Sequence, residues 1–230
     1  NEINRLRGGA SYSPFIRAFS VGKLEKRRGA RSSAKSVERT IGKQDRTMRI
    51  VAGQYRGKKL FTPDGKNVRP TSERAREAIF NILNSHLGSD YSAVHLADIF
   101  AGTGAFGLEA LSRGAATVTL VDKDTSLAAK NAKMFVKEQE KIRIIKADAL
   151  NLPCVRTKFN MVFMDAPYAK GLTEEVLKQL IIKNWLSENS LCIVEIRQDE
   201  HIDIPKEYEI LDERVYGLAR ILFLDPKIAK

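Results

Sequence analysis

An α/β fold with a mostly parallel sheet is the class this sequence predicts. Three observations carry it. Short β-branched runs alternate with helical periods through most of the 230 residues. The first run leads into a glycine-rich turn, DIFAGTGAFG. Four successive runs end in an acid: Asp98, Asp122, Asp148 and Asp165. Strand–helix alternation implies a doubly wound sheet with helices on both faces. Ligands of such sheets bind at the carboxyl ends of strands.

Residues 1–47 carry 12 basic and 4 acidic residues, a charge of +8, out of +11 for the chain. They lack a sustained apolar period, apart from a short amphipathic stretch at 12–19, and are expected to form a disordered extension. An Arg- and Ser-rich, acid-poor composition also fits a targeting segment. Residues 48–88 are expected as a small β-hairpin and a helix. MRIVAGQYRGKKLFTP reads as strand, glycine-centred turn and strand. Next, Ala75, Ile79, Phe80, Leu83 and Leu87 recur at helical spacing, with Thr71 or Ser72 as cap. Residues 48–85 carry +5, whereas 86–230 carry −2. A basic front end favours nucleic-acid phosphate. Arg56, Arg69, Arg74 and Arg76 are the candidate RNA contacts, with Gln54 and Tyr55 beside them.

Residues 89–230 are expected as the catalytic unit. Strands are predicted at HLADIF, TVTLVD, IRIIKAD, FNMVFMD, SLCIVEI, YEILDERVYG and ARILFLD. Helices are predicted over 106–113, 125–138 and 173–183. The last two strands lack room for a helix between them, so they should pair as an antiparallel hairpin at a sheet edge. Cys154 and Cys192 form no metal spacing; both are expected as buried thiols of a reducing compartment. His86, His95 and His201 have no partners in the pattern, and no metal is expected. No run approaches the about 18 apolar residues of a membrane span.

The spacing G-x-G-x-x-G at Gly102, Gly104 and Gly107, with Asp122 twenty residues on, fits a dinucleotide or another nucleoside cofactor. Glycine lets backbone approach a ligand closely, and the helix that follows points amides at it. Asp122 can accept both hydroxyls of a ribose. Asp148 can accept from an adenine amine or cap a helix, and Asp124 suits the cap of the helix after it. DAPY, Asp165 to Tyr168, separates the cofactors. A dehydrogenase has no evident use for it. An enzyme that methylates a ring-conjugated amine does, because that lone pair is delocalised. A carboxylate and a backbone carbonyl can accept its N–H bonds. Pro167 stiffens the loop and Tyr168 can stack on a base.

DIFAGTGAFGLEALSRGA resembles the S-adenosylmethionine loop of class I methyltransferases, and DAPY resembles the Asp/Asn-Pro-Pro-Tyr motif of amino-group methylases. The opening block, MRIVAGQYRGKKLFTP then VRPTSERAREAIFNIL, is similar to that of the bacterial 16S ribosomal RNA guanine-N2 methyltransferase family of RsmD type. That resemblance covers residues 48–225. It implies a Rossmann-like fold, S-adenosylmethionine as cofactor, and methyl transfer to a guanine N2 in free small-subunit rRNA or an assembling subunit. It carries cofactor roles onto Asp98, Gly102, Gly104, Asp122 and Asp148, and catalytic roles onto Asp165, Ala166, Pro167 and Tyr168. Ala166 stands where the family has a first proline, and Asp122 where relatives often have Glu. A cytoplasmic monomer is expected. The rival readings are a DNA adenine-N6 or protein glutamine-N5 methylase, an NAD-dependent dehydrogenase, and a non-catalytic RNA-binding protein.

Overall fold

The computed structural model describes residues 48–63, 70–167 and 171–228. The expectations for residues 1–47, Arg69 and Tyr168 lie outside the described residues. Strands β1 (His95–Ile99), β2 (Thr117–Asp122), β3 (Ile142–Lys146), β4 (Phe159–Asp165), β5 (Leu186–Arg197), β6 (Tyr208–Tyr216) and β7 (Ala219–Pro226) form one sheet in the order β3-β2-β1-β4-β5-β7-β6. β1 to β5 run parallel, and β7 lies antiparallel between β5 and β6. The expected terminal hairpin is present, with β6 as the edge. Building starts at the middle: β2 and β3 extend one way from β1, then β4 returns to its other side. That reversal opens a crevice at the strand ends between β1 and β4.

The central strands are apolar on both faces, as parallel strands covered twice must be. Leu96, Met161, Phe163, Leu191, Ile193, Ile221 and Phe223 face one core; Ala97, Val162, Met164, Cys192, Val194, Leu222 and Leu224 face the other. Helices α1 (Pro70–Leu87) and α2 (Ala105–Ser112) supply the first core, and α4 (Leu172–Ile182) the second. Ala75, Ile79, Phe80 and Leu83 of α1 are fully buried, as their spacing predicted. The helix opens on Pro70 itself, so Thr71 and Ser72 stand inside its first turn. Proline suits that position because its missing N–H has no intrahelical partner to lose.

Residues 48–63 do form an antiparallel arm, but not two full strands: one isolated bridge joins Arg49 and Lys59. Backbone bonds from Ile50 to Lys58, Gly57 to Ile50 and Leu60 to Met48 close it. The amides of Val51, Ala52, Gln54 and Tyr55 bond α2 rather than a ladder. Glu109, with 0% exposure, accepts from the backbone N–H of Val51 at 2.7 Å and Ala52 at 2.9 Å. The Ser112 carbonyl accepts from Gln54 N at 2.8 Å, and Ser112 Oγ accepts from Tyr55 N at 3.0 Å. Gly53 has φ +80, and an added Cβ would lie 1.9 Å from the Ser112 carbonyl oxygen. Only glycine fits there on both counts.

The helix predicted over 125–138 is shorter. α3 (Ser126–Ala132) stops, and a 3-10 turn (Val136–Lys141) follows. Lys133 ends the helix, and Phe135, at φ −98 and ψ 60 before the 3-10 turn, is fully buried with its ring 4.7 Å from that of Tyr55. Gln139 Nε2 donates to the carbonyls of Ala132 and Phe135, which also accept from Phe135 N and Glu138 N. Packing against the arm therefore overrides local periodicity. Asp124 accepts from Ser126 N at 3.0 Å and caps α3 as expected. Cys192 is buried, but Cys154 is exposed, contrary to expectation, in the segment between the second 3-10 turn (Ala149–Asn151) and β4.

Glu109→Ala leaves the Arg113 and Arg76 guanidiniums without their carboxylate and two amides without an acceptor. Stability should fall by about 3–5 kcal/mol, the usual loss on breaking a buried ion pair from one side. Urea unfolding measures it. A loss within about 0.5 kcal/mol, as at an ordinary surface site, would show that Glu109 does not hold the arm.

Candidate active site

The crevice at the β1–β4 reversal holds a cavity of 370 Å³. Phe100 past β1, Asp122 and Lys123 at β2, Asp148 past β3, and Asp165, Ala166 and Pro167 at β4 all line it. Residues from four predicted strand ends thus meet in one space. Phe100 is held at φ 62, a conformation that non-glycine residues seldom adopt and that clusters at functional sites.

The glycine loop folds around Asp122. Gly102 N–H donates to Asp122 Oδ2 at 2.8 Å, and Asp124 N–H donates to Oδ1 at 3.0 Å. Each oxygen keeps a lone pair for a further donor. Gly102 has φ +53, and a Cβ there would meet nothing nearer than the Phe100 carbonyl at 4.0 Å. The space above it is open to a ligand. Gly104 is the left-handed cap of α2. Gly107 answers to packing: a Cβ would fall 2.4 Å from Leu120 Cδ2. Asp148 caps the 3-10 turn by accepting from Leu150 N at 3.0 Å, and its other oxygen pairs with Lys123 Nζ at 3.0 Å. The backbone bond, then Lys123, holds its carboxyl below the usual range.

Asp98 does not line the 370 Å³ cavity. It lines a smaller, adjoining cavity instead. It is 2% exposed and accepts from Gly107 N at 2.9 Å, bracing the loop from behind. Burial first, then the Asp165 and Asp122 charges, push its carboxyl up to about 7 against the pull of the Gly107 amide. A second cavity, of 100 Å³, lies on this side and shares Phe100 and Asp165 with the first.

Arg76 requires a correction. It is 4% exposed, donates from Nη2 to the Arg49 carbonyl at 2.7 Å, and lies 3.8 Å from Glu109. It is a core cation under the arm, not a surface phosphate contact. Burial holds its guanidinium below the usual range, although Glu109 opposes this. Arg56 at the tip of the arm and Arg74 on α1 are exposed, as RNA contacts require. Sequence reasoning missed Phe100, Lys123, Glu109 and Glu195. Glu195 did leave a signal: it is the lone acid in the apolar run SLCIVEI.

A family model described as conserved hypothetical protein 95 matches residues 48–225. The ribosomal RNA small subunit methyltransferase D of Escherichia coli (strain K12) is 35% identical over 173 residues, covering 74% of this chain and 85% of that protein. The protein of the same name from Haemophilus influenzae is 33% identical over 178 residues, covering 75% and 90%. Among solved structures, a putative methyltransferase from Escherichia coli matches with a TM-score of 0.67 and 33% identity, over 80% of this chain and 99% of that one.

Asp98 makes stability depend on pH with a defined sign. Its folded pKa, about 7, lies above the ordinary carboxyl value of 3.8. Protonated Asp98 therefore favours the folded state below pH 3.8, and that contribution is lost as pH rises through 7. Relative to Asp98→Asn, the parent protein should lose stability between these limits. Urea midpoints across that range test it; a constant difference would contradict a buried, proton-holding Asp98.

Proposed function

The chain belongs to the conserved hypothetical protein 95 family, and we propose that it transfers a methyl group from S-adenosylmethionine to the exocyclic N2 amine of a guanine in small-subunit ribosomal RNA. One observation carries the assignment of roles: Asp165 stands where the two cavities meet. One cavity has the features of a nucleoside site and the other adjoins it at Phe100 and Asp165, so a group held at Asp165 faces both.

The larger cavity fits the cofactor. Asp122 offers carboxylate lone pairs for ribose hydroxyls, and the open face of Gly102 leaves room for the ligand. Asp148 can accept from an adenine amine only on the lone pairs that Leu150 and Lys123 leave. When bound, S-adenosylmethionine supplies an electrophilic methyl group on a sulfonium. Three carboxylates around one cavity suit that positive charge.

Asp165 and the carbonyl of Ala166 accept the two amine hydrogens of the target base and localise the nitrogen lone pair. Ala166 is 6% exposed, so its backbone is held by burial even without the family's first proline. Tyr168 supplies the stacking face. Alignment is the main catalytic task. No strong base is required, because the methylated amine is acidic enough to lose its proton afterwards. Exposed Arg56 and Arg74 hold phosphates around the target.

Unmodified small ribosomal subunits incubated with labelled S-adenosylmethionine should acquire label on the N2 of one guanine, located by mapping the labelled base. Label on adenine or on protein would overturn the assignment. Asp165→Ala should lower methylation at least about 100-fold, the scale on which loss of a transition-state contact acts, with cofactor affinity kept within twofold or so. Full activity in that variant would refute its role. Asp122→Ala should weaken cofactor binding about tenfold or more, as loss of charged hydrogen bonds does; unchanged affinity in calorimetry would remove it from the ribose.

A further inference from the structure

Phe61 is a large apolar side chain that the fold mounts firmly and leaves outside. Its N–H donates to Asn131 Oδ1 at 2.7 Å, and its carbonyl accepts from Asn131 Nδ2 at 3.0 Å. Asn131 is fully buried and also donates to the carbonyl of Thr103 in the glycine loop at 2.8 Å. One side chain therefore fixes the backbone of Phe61 at both of its polar groups and ties it to that loop. Phe61 is nonetheless 44% exposed, while its neighbour Leu60 is buried. A single exposed aromatic needs no explanation by itself. Its rigid mount and its surroundings do.

The surroundings are cationic. Lys130 Nζ stands 3.7 Å from the centroid of the Phe61 ring. Residues 54–63 carry Arg56, Lys58 and Lys59, and residues 126–137 carry Lys130, Lys133 and Lys137; neither stretch holds an acid. The two stretches make one surface. Lys58 Nζ donates to the Met134 carbonyl at 3.2 Å, and Tyr55, Met134 and Lys137 line one shallow groove. The next acid along, Glu138, is buried and already engaged by Gln54 and Lys141. Arg56, Lys59, Lys130, Lys133 and Lys137 are all exposed, and none has an acidic partner among the described residues.

We propose that Phe61 is a stacking platform for an unpaired nucleotide in the RNA strand that carries the target guanine, with Lys130 and Lys133 holding the phosphates beside it. The inference rests on the rRNA methyltransferase reading above. The base stacks on the ring face opposite Lys130. Single-stranded nucleic acid is held by this pairing of parts: an aromatic face for the base and cations for the backbone. An acidic peptide would answer the lysines and leave the ring unanswered, whereas a nucleotide answers both. Every base has a π-face, so the platform tolerates any sequence there. A nucleotide held at Phe61 restrains the strand without touching the reacting atoms. It therefore contributes to binding and not to the methyl-transfer step.

The test compares variants on unmodified small ribosomal subunits. Phe61→Leu keeps apolar bulk and removes the π-face. It should raise KM for subunits about tenfold, the scale of one lost base–aromatic stack, with kcat and the affinity for S-adenosylmethionine within about twofold. Phe61→Tyr keeps the face and should stay within about threefold of the parent in KM. Lys133→Gln should flatten the fall of log affinity with log salt by about 0.7, the share of one single-strand phosphate. An unchanged KM in Phe61→Leu, an equal rise in Phe61→Leu and Phe61→Tyr, or an unchanged salt slope in Lys133→Gln overturns the inference. Filter binding of protein-free small-subunit rRNA separates RNA from a protein partner. The loss in Phe61→Leu should persist there; its disappearance would give the surface to a ribosomal protein and overturn the assignment. A parent enzyme that methylates no guanine on subunits refutes the methyltransferase reading instead.

Discussion

The buried carboxylate of Glu109 joins the basic front of the chain to the sheet. It accepts from two amides of the arm, receives Arg113 Nε at 2.9 Å, and stands 3.8 Å from Arg76 of α1. A charge in the core costs several kcal/mol unless its oxygens are fully engaged. Here three segments engage it, so none can move alone. Arg113 also lies 4.5 Å over the Phe80 ring, which fastens α2 to α1. The arm then reaches the other end of α2. Asn131, fully buried, bonds both Phe61 and the carbonyl of Thr103 in the glycine loop, while Thr103 Oγ1 donates to Met48 Sδ at 3.4 Å. The arm therefore braces α2 at its last turn and the cofactor loop at its first. The shape of the loop depends on residues that precede it by some fifty positions.

The sheet was legible because its strands are buried on both faces and end abruptly. TVTLVD and FNMVFMD occupy their predicted spans without change, since each is a continuous apolar run closed by an acid. Legibility failed where a segment's partner lies far away in sequence. The arm reads as two strands by composition. It forms one bridge because α2, not a second ladder, takes its hydrogen bonds. α3 reads as a long helix, but Phe135 is worth more under Tyr55 than in another helical turn. Neither outcome leaves a mark within a window of twenty residues.

The site divides in the same way. That Asp122, Asp148, Asp165, Ala166 and Pro167 border one cavity was legible because strand ends converge in any doubly wound sheet. Asp98 sat at such an end too, but sequence cannot show which face of a strand a cavity touches. Its register with Phe163 turns it toward the smaller cavity. Arg76 was misassigned for the mirror reason. Charge on a helix suggests solvent, but Arg76 follows the buried Ala75 and lies three residues before the buried Ile79, on the packed side of α1. Glu195 was passed over as one acid in an apolar strand, although an acid there is costly enough to need a reason.

Charge along the chain and charge around the site answer each other. Residues 48–85 carry +5 and the remainder of the described unit is slightly acidic. The acids are not spread evenly: Asp98, Asp122, Asp148, Asp165 and Glu195 all border the two cavities. Such a centre repels a phosphate backbone, whose affinity for protein comes from cations. On the reading proposed above, the exposed Arg56 of the arm and Arg74 of α1 are the cations that attract that backbone. An RNA held by its phosphates at the rim can bring into the acidic interior only the part of a nucleotide that carries no phosphate and offers donors. The amine edge of a base meets that condition. The arm thus braces the glycine loop through Asn131 and Thr103, and in the proposed function it also carries one of the cations that hold the polyanion outside.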